Sequence, residues 1–119
     1  MSKNKFYAKQ HEFYLNKIYN NVEHIGEDRQ NIEWIMKEGI WYKPQDINQQ
    51  SLCDLIICYE NNTAVPVELK GSNNQRSKAM KQLEQGCEFI YEVLKRQPTH
   101  GIFATYKDNK INYEKLEIN

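Results

Sequence analysis

Two apolar runs joined by a short polar link constrain the fold of this chain more than any other sequence feature. The first run reads SLCDLIICY over residues 51–59, and the second reads AVPVEL over residues 64–69. The link contains Asn61 and Asn62, and paired asparagines favour the tight turns that close β-hairpins. The segment therefore predicts a buried antiparallel hairpin.

Charged side chains interrupt these runs at positions that the hairpin brings together. Side chains two residues apart on a strand point to the same face, so Glu68 and Lys70 emerge together while Val67 and Leu69 face a core. The hairpin can also bring Asp54, from the first run, beside Glu68. The sequence thus predicts a cluster of two carboxylates and one ammonium group.

Such a cluster suits a hard divalent cation. Two adjacent carboxylates repel each other, and magnesium relieves the repulsion because it takes oxygen ligands and keeps several waters. In phosphodiester hydrolysis the cation neutralises developing charge and lowers the pKa of a bound water, while a fixed ammonium orients or helps to activate that water. Asp54 and Glu68 are therefore candidate metal ligands, and Lys70 is the candidate for assisting the water.

A simpler interpretation is that Glu68 and Lys70 form an exposed ion pair on an amphipathic strand, which would contribute only about 0.3 kcal/mol. The sequence context favours a functional site instead. Asp54 lies on the preceding strand, and a polar exit over residues 71–74 leads into a long helix.

Asp54, thirteen intervening residues and Glu68-Leu69-Lys70 resemble the core of the PD-(D/E)xK nuclease superfamily, over roughly residues 50 to 106. Cys53 stands where that motif has Pro. The resemblance implies a restriction-endonuclease-like α/β fold with a mixed β-sheet flanked by helices, and DNA as the substrate. It also implies Mg²⁺ as the cofactor, with Mn²⁺ as a substitute, and the backbone carbonyl of Leu69 as a further metal ligand.

The same resemblance suggests two further catalytic residues. A Glu on the N-terminal helix recurs in several branches, which indicates Glu12, although an ordinary exposed helical Glu is an equal alternative. A Gln on the helix after the motif also recurs, which indicates Gln82 ahead of Gln85, with a surface Gln as the alternative. Small Holliday-junction resolvases of this superfamily act as dimers, so a homodimer is left open here.

The charge balance argues against a protein whose only role is to coat DNA. The chain has 16 Lys and Arg against 16 Asp and Glu, so its net charge is zero and it lacks an overall basic signature. Arg76, Lys78 and Lys81 follow the motif closely, however, and are candidate nucleic-acid-binding residues. A solvated helix face explains the same three charges.

Other sequence features exclude several classes of protein. The cysteines lack paired spacing and lie in apolar segments, which indicates buried, reduced thiols; they are Cys53, Cys58 and Cys87. The histidines lack repeated ligand spacing, which argues against a zinc site; they are His11, His24 and His100. Without a secretory segment or a long apolar span, the chain is expected to be intracellular and soluble, with no membrane partner.

Apolar periodicity in the first half of the chain predicts a helix over residues 5–25, ended by Gly26. A second short helix is predicted over residues 27–36, because acidic residues favour a first helical turn. A strand is expected over residues 40–43, and then a polar loop over residues 45–50 that contains Asp46.

In the second half, helical spacing predicts a helix over residues 76–96, ended by Pro98 and covering one face of the sheet. Strands are expected over residues 101–106 and 111–118. The predicted order is α-α-β-β-β-α-β-β in a single nuclease-like domain spanning residues 1–119.

The sequence therefore predicts a magnesium-dependent deoxyribonuclease, favoured as an endonuclease. Two alternatives are a nuclease fold kept as a non-catalytic binding or assembly subunit, and an intracellular interaction protein in which Glu68-Leu69-Lys70 matches by chance. Metal-dependent stabilisation separates the nuclease from the chance match, because a ligand that binds only the folded state stabilises it.

Overall fold

The predicted hairpin lies at the centre of a six-stranded mixed sheet that packs against two helices. A computed structural model describes residues 2–37, 40–42 and 49–118. The helices and strands in chain order are α1 (Ser2–Asn20), β1 (Ile32–Lys37), β2 (Ile40–Tyr42), β3 (Gln49–Ser51), β4 (Leu55–Tyr59), β5 (Thr63–Lys70), α2 (Arg76–Glu92), β6 (Gln97–Pro98), β7 (His100–Lys107) and β8 (Lys110–Glu117). The architecture is an α/β fold, as the sequence predicted.

The sheet runs in the order β1-β4-β5-β7-β8, and the short β6 also pairs with β5. β4 and β5 are antiparallel with Leu55 opposite Val67, and Asn62 in their turn has a φ of 68°. These observations confirm the hairpin. β5 and β7 are parallel, so the chain crosses between them through α2. β2 and β3 pair with each other in a separate two-stranded sheet.

The alternating side chains of the sheet fill two apolar cores, one on each face. Leu15 and Ile18 of α1 pack with Val65 and Val67 of β5 on one face. Leu83 and Ile90 of α2 are buried in the other cluster. Because each helix contributes one apolar stripe, the sheet is covered on both faces and its central strands are buried.

The prediction of a second helix over residues 27–36 is wrong. Asp28 does cap a helical start, since its side chain accepts a hydrogen bond from the Gln30 N–H at 2.9 Å, but this 3₁₀ turn spans only Arg29–Asn31. The chain continues as β1, whose register shifts between Ile32 and Trp34. A β-bulge of this kind places residues three apart on the same face, which mimics helical spacing.

The other predicted elements differ from the structure mainly at their ends. α1 ends at Asn20 rather than at Ile25, and a separate 3₁₀ turn over Val22–Ile25 follows it; Gly26 caps this turn with a φ of 76°. α2 ends at Glu92 rather than near Arg96, and Pro98 lies in β6. No helix in residues 2–37 or 49–118 is long and apolar enough to cross a membrane.

The predicted strand over residues 40–43 is confirmed for β2, and part of the predicted loop over 45–50 is instead β3. Lys43 and Asp46 lie outside the described residues. The strands predicted over residues 101–106 and 111–118 are confirmed as β7 and β8, and Asp108 and Asn109 between them have φ values of 51° and 63°. Two consecutive positive φ angles are typical of a tight hairpin turn.

Candidate active site

The site lies where the ladder between β4 and β5 ends and side chains replace its backbone hydrogen bonds. Beyond the Leu55–Val67 pair, the Asp54 N–H donates to Glu68 Oε1 at 3.0 Å. In return, the Leu69 N–H donates to Asp54 Oδ2 at 2.8 Å. Each carboxylate is therefore fixed by the backbone of the other strand.

The carboxylate of Glu68 lies in the protein interior, since its side chain is only 2% exposed. Lys70 Nζ lies 3.1 Å from Glu68 Oε2 and offsets part of that charge. Burial, followed by the negative charge of Asp54, nevertheless raises the pKa of Glu68 to about 7. The ion pair with Lys70 therefore offsets only part of the effect of burial on the Glu68 carboxylate.

His11 reaches the same site from α1. Its Nε2 atom lies 3.2 Å from Asp54 Oδ2 and 3.1 Å from the Leu69 carbonyl oxygen. Because a carbonyl oxygen can only accept a hydrogen bond, Nε2 carries a proton that is shared between the two oxygens. The hydrogen bond to Asp54 raises the pKa of His11 although burial opposes the rise.

These groups line a cleft of about 690 Å³ at the end of the sheet. Its lining comprises Ala8, His11, Asp54, Glu68, Leu69, Lys70, Gly71, Ser72, Gln75, Gln82 and Tyr106. The cleft therefore combines residues from α1, the central strands and α2. The side chains of Asp54 and Lys70 are partly exposed in it, whereas that of Glu68 is buried.

The two weaker catalytic candidates lie in different surroundings. Gln82 lines the cleft, and its Oε1 atom is buried without a hydrogen-bond partner among the described residues. Glu12 is exposed and does not belong to the cleft lining. The structure thus brings Gln82, but not Glu12, to the predicted site.

The three predicted nucleic-acid-binding residues all lie on the exposed surface of α2, outside the cleft lining. Arg76 makes a bidentate ion pair with Glu114, with Nη2 at 2.7 Å from Oε2. Within residues 8–37 and 52–118, Lys78 and Lys81 form no ion pair. Their ammonium groups are therefore better available to a polyanion than the Arg76 guanidinium.

The donor chemistry of the site fits magnesium. Asp54 Oδ2 and the Leu69 carbonyl oxygen converge on one point, since both contact the same His11 nitrogen, and Glu68 lies beside them. These are the oxygen ligands that Mg²⁺ prefers. Within the described residues no three His, Cys, Asp or Glu side chains are grouped closely enough to hold a metal ion by themselves.

His11 is the site residue that sequence analysis missed. His11 matches no repeated metal-ligand spacing. The available signal is its place on the apolar stripe of α1, three residues before Tyr14 and four before Leu15. A polar side chain on a stripe that packs against a sheet must find a partner there.

Comparison with protein-family models, with curated protein sequences and with solved structures found no match to this chain.

Proposed function

We propose that this protein is a magnesium-dependent deoxyribonuclease that hydrolyses phosphodiester bonds within DNA. The observation that carries the proposal is the convergence of Asp54, Glu68 and Lys70 at the open end of the central hairpin, on the wall of a solvent-accessible cleft. A buried carboxylate whose pKa is raised, beside a second carboxylate and a lysine, is an arrangement typical of catalytic sites.

Asp54, Glu68 and the Leu69 carbonyl are the proposed metal ligands. When bound, Mg²⁺ would supply charge neutralisation at the phosphate and a more acidic bound water. The Lys70 ammonium, held by Glu68, would orient the attacking water. Gln82 Oε1, which has no hydrogen-bond partner among the described residues, would accept a hydrogen bond from that water.

Substrate binding would depend on local rather than overall charge. The net charge of the chain is zero, so long-range attraction to DNA is weak. Lys78 and Lys81 extend from the first turns of α2, the helix whose Gln82 lines the cleft. We assign them to contacts with the phosphate backbone flanking the scissile bond.

A second candidate is a non-catalytic binding or assembly subunit that keeps the same fold. The observation that favours it is that both carboxylates already have cationic or proton-donating partners. Asp54 contacts His11 at 3.2 Å, and Glu68 contacts Lys70 at 3.1 Å. In this case the four side chains form an internal ion network and need no metal.

The two candidates are separated by incubating the protein with supercoiled plasmid, linear duplex, single-stranded and four-way-junction DNA in Mg²⁺, Mn²⁺ or EDTA. Glu68→Gln removes the proposed ligand charge, and Glu84→Gln makes the same change at an exposed position of α2. We expect metal-dependent cleavage by wild type and Glu84→Gln, reduced at least about a hundredfold in Glu68→Gln.

Cleavage in EDTA, or equal cleavage by both variants, would contradict the proposed centre. If no substrate is cut and divalent cations leave the melting temperature unchanged, the non-catalytic subunit is the better account.

A further inference from the structure

The His11 imidazole lies at the point where two of the proposed metal ligands converge. Its Nε2 atom is the common partner of Asp54 Oδ2, at 3.2 Å, and of the Leu69 carbonyl oxygen, at 3.1 Å. Resting on the function proposed above, we propose that His11 holds the metal position in the metal-free protein and must swing away when a divalent cation binds.

The hydrogen-bond geometry allows only one occupant between the two oxygens. A single N–H is shared between two oxygens, and both contacts are at the long end of the range for N–H···O bonds. Each oxygen retains lone pairs that a divalent cation would use, but a cation and the N–H cannot occupy the same position. Binding of the cation therefore requires loss of both His11 contacts.

The His11 imidazole has space to move away from the two oxygens. The His11 side chain is 29% exposed and lines the cleft. Ala8, one helical turn earlier on the same face, also lines the cleft and has only a methyl group. Rotation of the imidazole toward the cleft would leave α1 in place, because Leu15 and Ile18 anchor the helix in the core.

His11 therefore keeps the proposed metal ligands in place in the metal-free protein. Without His11, the Leu69 carbonyl would lose its side-chain donor, and within the described residues the Asp54 carboxylate would keep only the hydrogen bond from the Leu69 N–H. His11 is thus a positioning residue that stabilises the metal-free site and competes with the cation. Its removal should destabilise the free protein and tighten metal binding.

The first test is calorimetric titration of Mn²⁺ into wild type, His11→Ala and His11→Gln, with His24→Gln as a control because His24 is exposed. We expect His11→Ala to bind Mn²⁺ roughly tenfold more tightly than wild type, because the cation no longer has to break the hydrogen bond to Asp54. The free energy of a hydrogen bond to a charged group corresponds to about this change in affinity. His11→Gln retains an N–H donor, so its affinity for Mn²⁺ should lie between those of wild type and His11→Ala. It also serves as a second variant if His11→Ala does not fold.

The second test follows the imidazole ¹⁵N resonances of wild type during Mg²⁺ titration. The His11 signals should move as the ring leaves its two acceptors, while those of His24 stay unchanged. Signals of His11 that do not move during saturable Mg²⁺ binding would overturn the inference.

The outcomes separate the two proposals. Unchanged or weaker Mn²⁺ affinity in both His11 variants, with metal-dependent cleavage by wild type, would overturn the role of His11 and leave the nuclease function standing. Absence of binding in every variant would overturn both. Binding that appears only when His11 is replaced would support the inference directly.

Discussion

Glu68 is the one charged side chain that is buried within the part of the chain whose side chains are described. Burial and the neighbouring Asp54 raise its pKa from 4.5 to about 7, and the pKa of His11 is also raised. Groups whose pKa rises on folding stabilise the folded state while they are protonated. Without metal, the free energy of unfolding should therefore fall as pH increases from about 4.5 through 7.

The corresponding variant is Glu68→Gln, which keeps the shape of the side chain but cannot ionise. The loss of stability expected for wild type over this pH interval is about 3 kcal/mol, since one pKa unit corresponds to about 1.4 kcal/mol. Urea unfolding between pH 4 and 8 should show a much flatter profile for Glu68→Gln than for wild type or Glu84→Gln. A free energy of unfolding of wild type that increases with pH over this interval would contradict the prediction.

Strand alternation was sufficient to predict that Asp54, Glu68 and Lys70 would meet, because the hairpin fixes which side chains share an end of the sheet. It could not predict His11, whose partners are 43 and 58 residues away in the chain. That contact depends on how far α1 extends across the sheet, and this distance is set by packing rather than by local spacing.

At the level of secondary-structure elements, close contact between α2 and the sheet depends on Gly86. A Cβ atom at this position would lie 2.7 Å from Cys53 Sγ and 3.0 Å from Pro66 Cβ. Gly86→Ala should therefore destabilise the protein by about 1–3 kcal/mol, although alanine is the better helix former by roughly 1 kcal/mol.

A double-mutant cycle tests this contact by chemical denaturation. Cys53→Ala removes the sulfur, so adding it to Gly86→Ala should recover part of the lost stability. Strictly additive destabilisation by the two substitutions would show that the sulfur does not limit the approach of α2.

α2 also carries the proposed DNA contacts, and its charges are not equivalent. Lys78→Gln with Lys81→Gln should weaken DNA binding and reduce the slope of log K against log salt by about 2. Arg76→Gln should have a smaller effect because Glu114 already holds the guanidinium. Fluorescence anisotropy at several salt concentrations measures both quantities, and a larger effect of Arg76→Gln would reverse this assignment.

The sequence predicted the long elements well because their apolar periods are regular over many residues. β1 was mistaken for a helix because its bulge places Ile32 and Ile35 against the same core despite their spacing of three. The pairing of β1 with β4 is a long-range contact, and the local pattern of residues 27–36 contains no sign of it.

At the scale of the whole molecule, the site is built from three layers. α1 brings His11 from one face of the sheet, α2 brings Gln82 from the other, and the central hairpin supplies Asp54, Glu68 and Lys70 between them. The cleft at the end of the sheet is therefore the place where both helices and the central strands meet. The proposed function therefore depends on side chains from all three layers.

The most direct measurement is nicking of supercoiled plasmid in Mg²⁺ by wild type, Lys70→Met and Lys115→Met. Lys115 is exposed on β8 and provides a matched loss of charge outside the site. We expect wild type and Lys115→Met to produce open-circular or linear DNA, and Lys70→Met to be slowed at least about a hundredfold with its fold intact by circular dichroism. Equal nicking by a folded Lys70→Met would contradict the proposed centre.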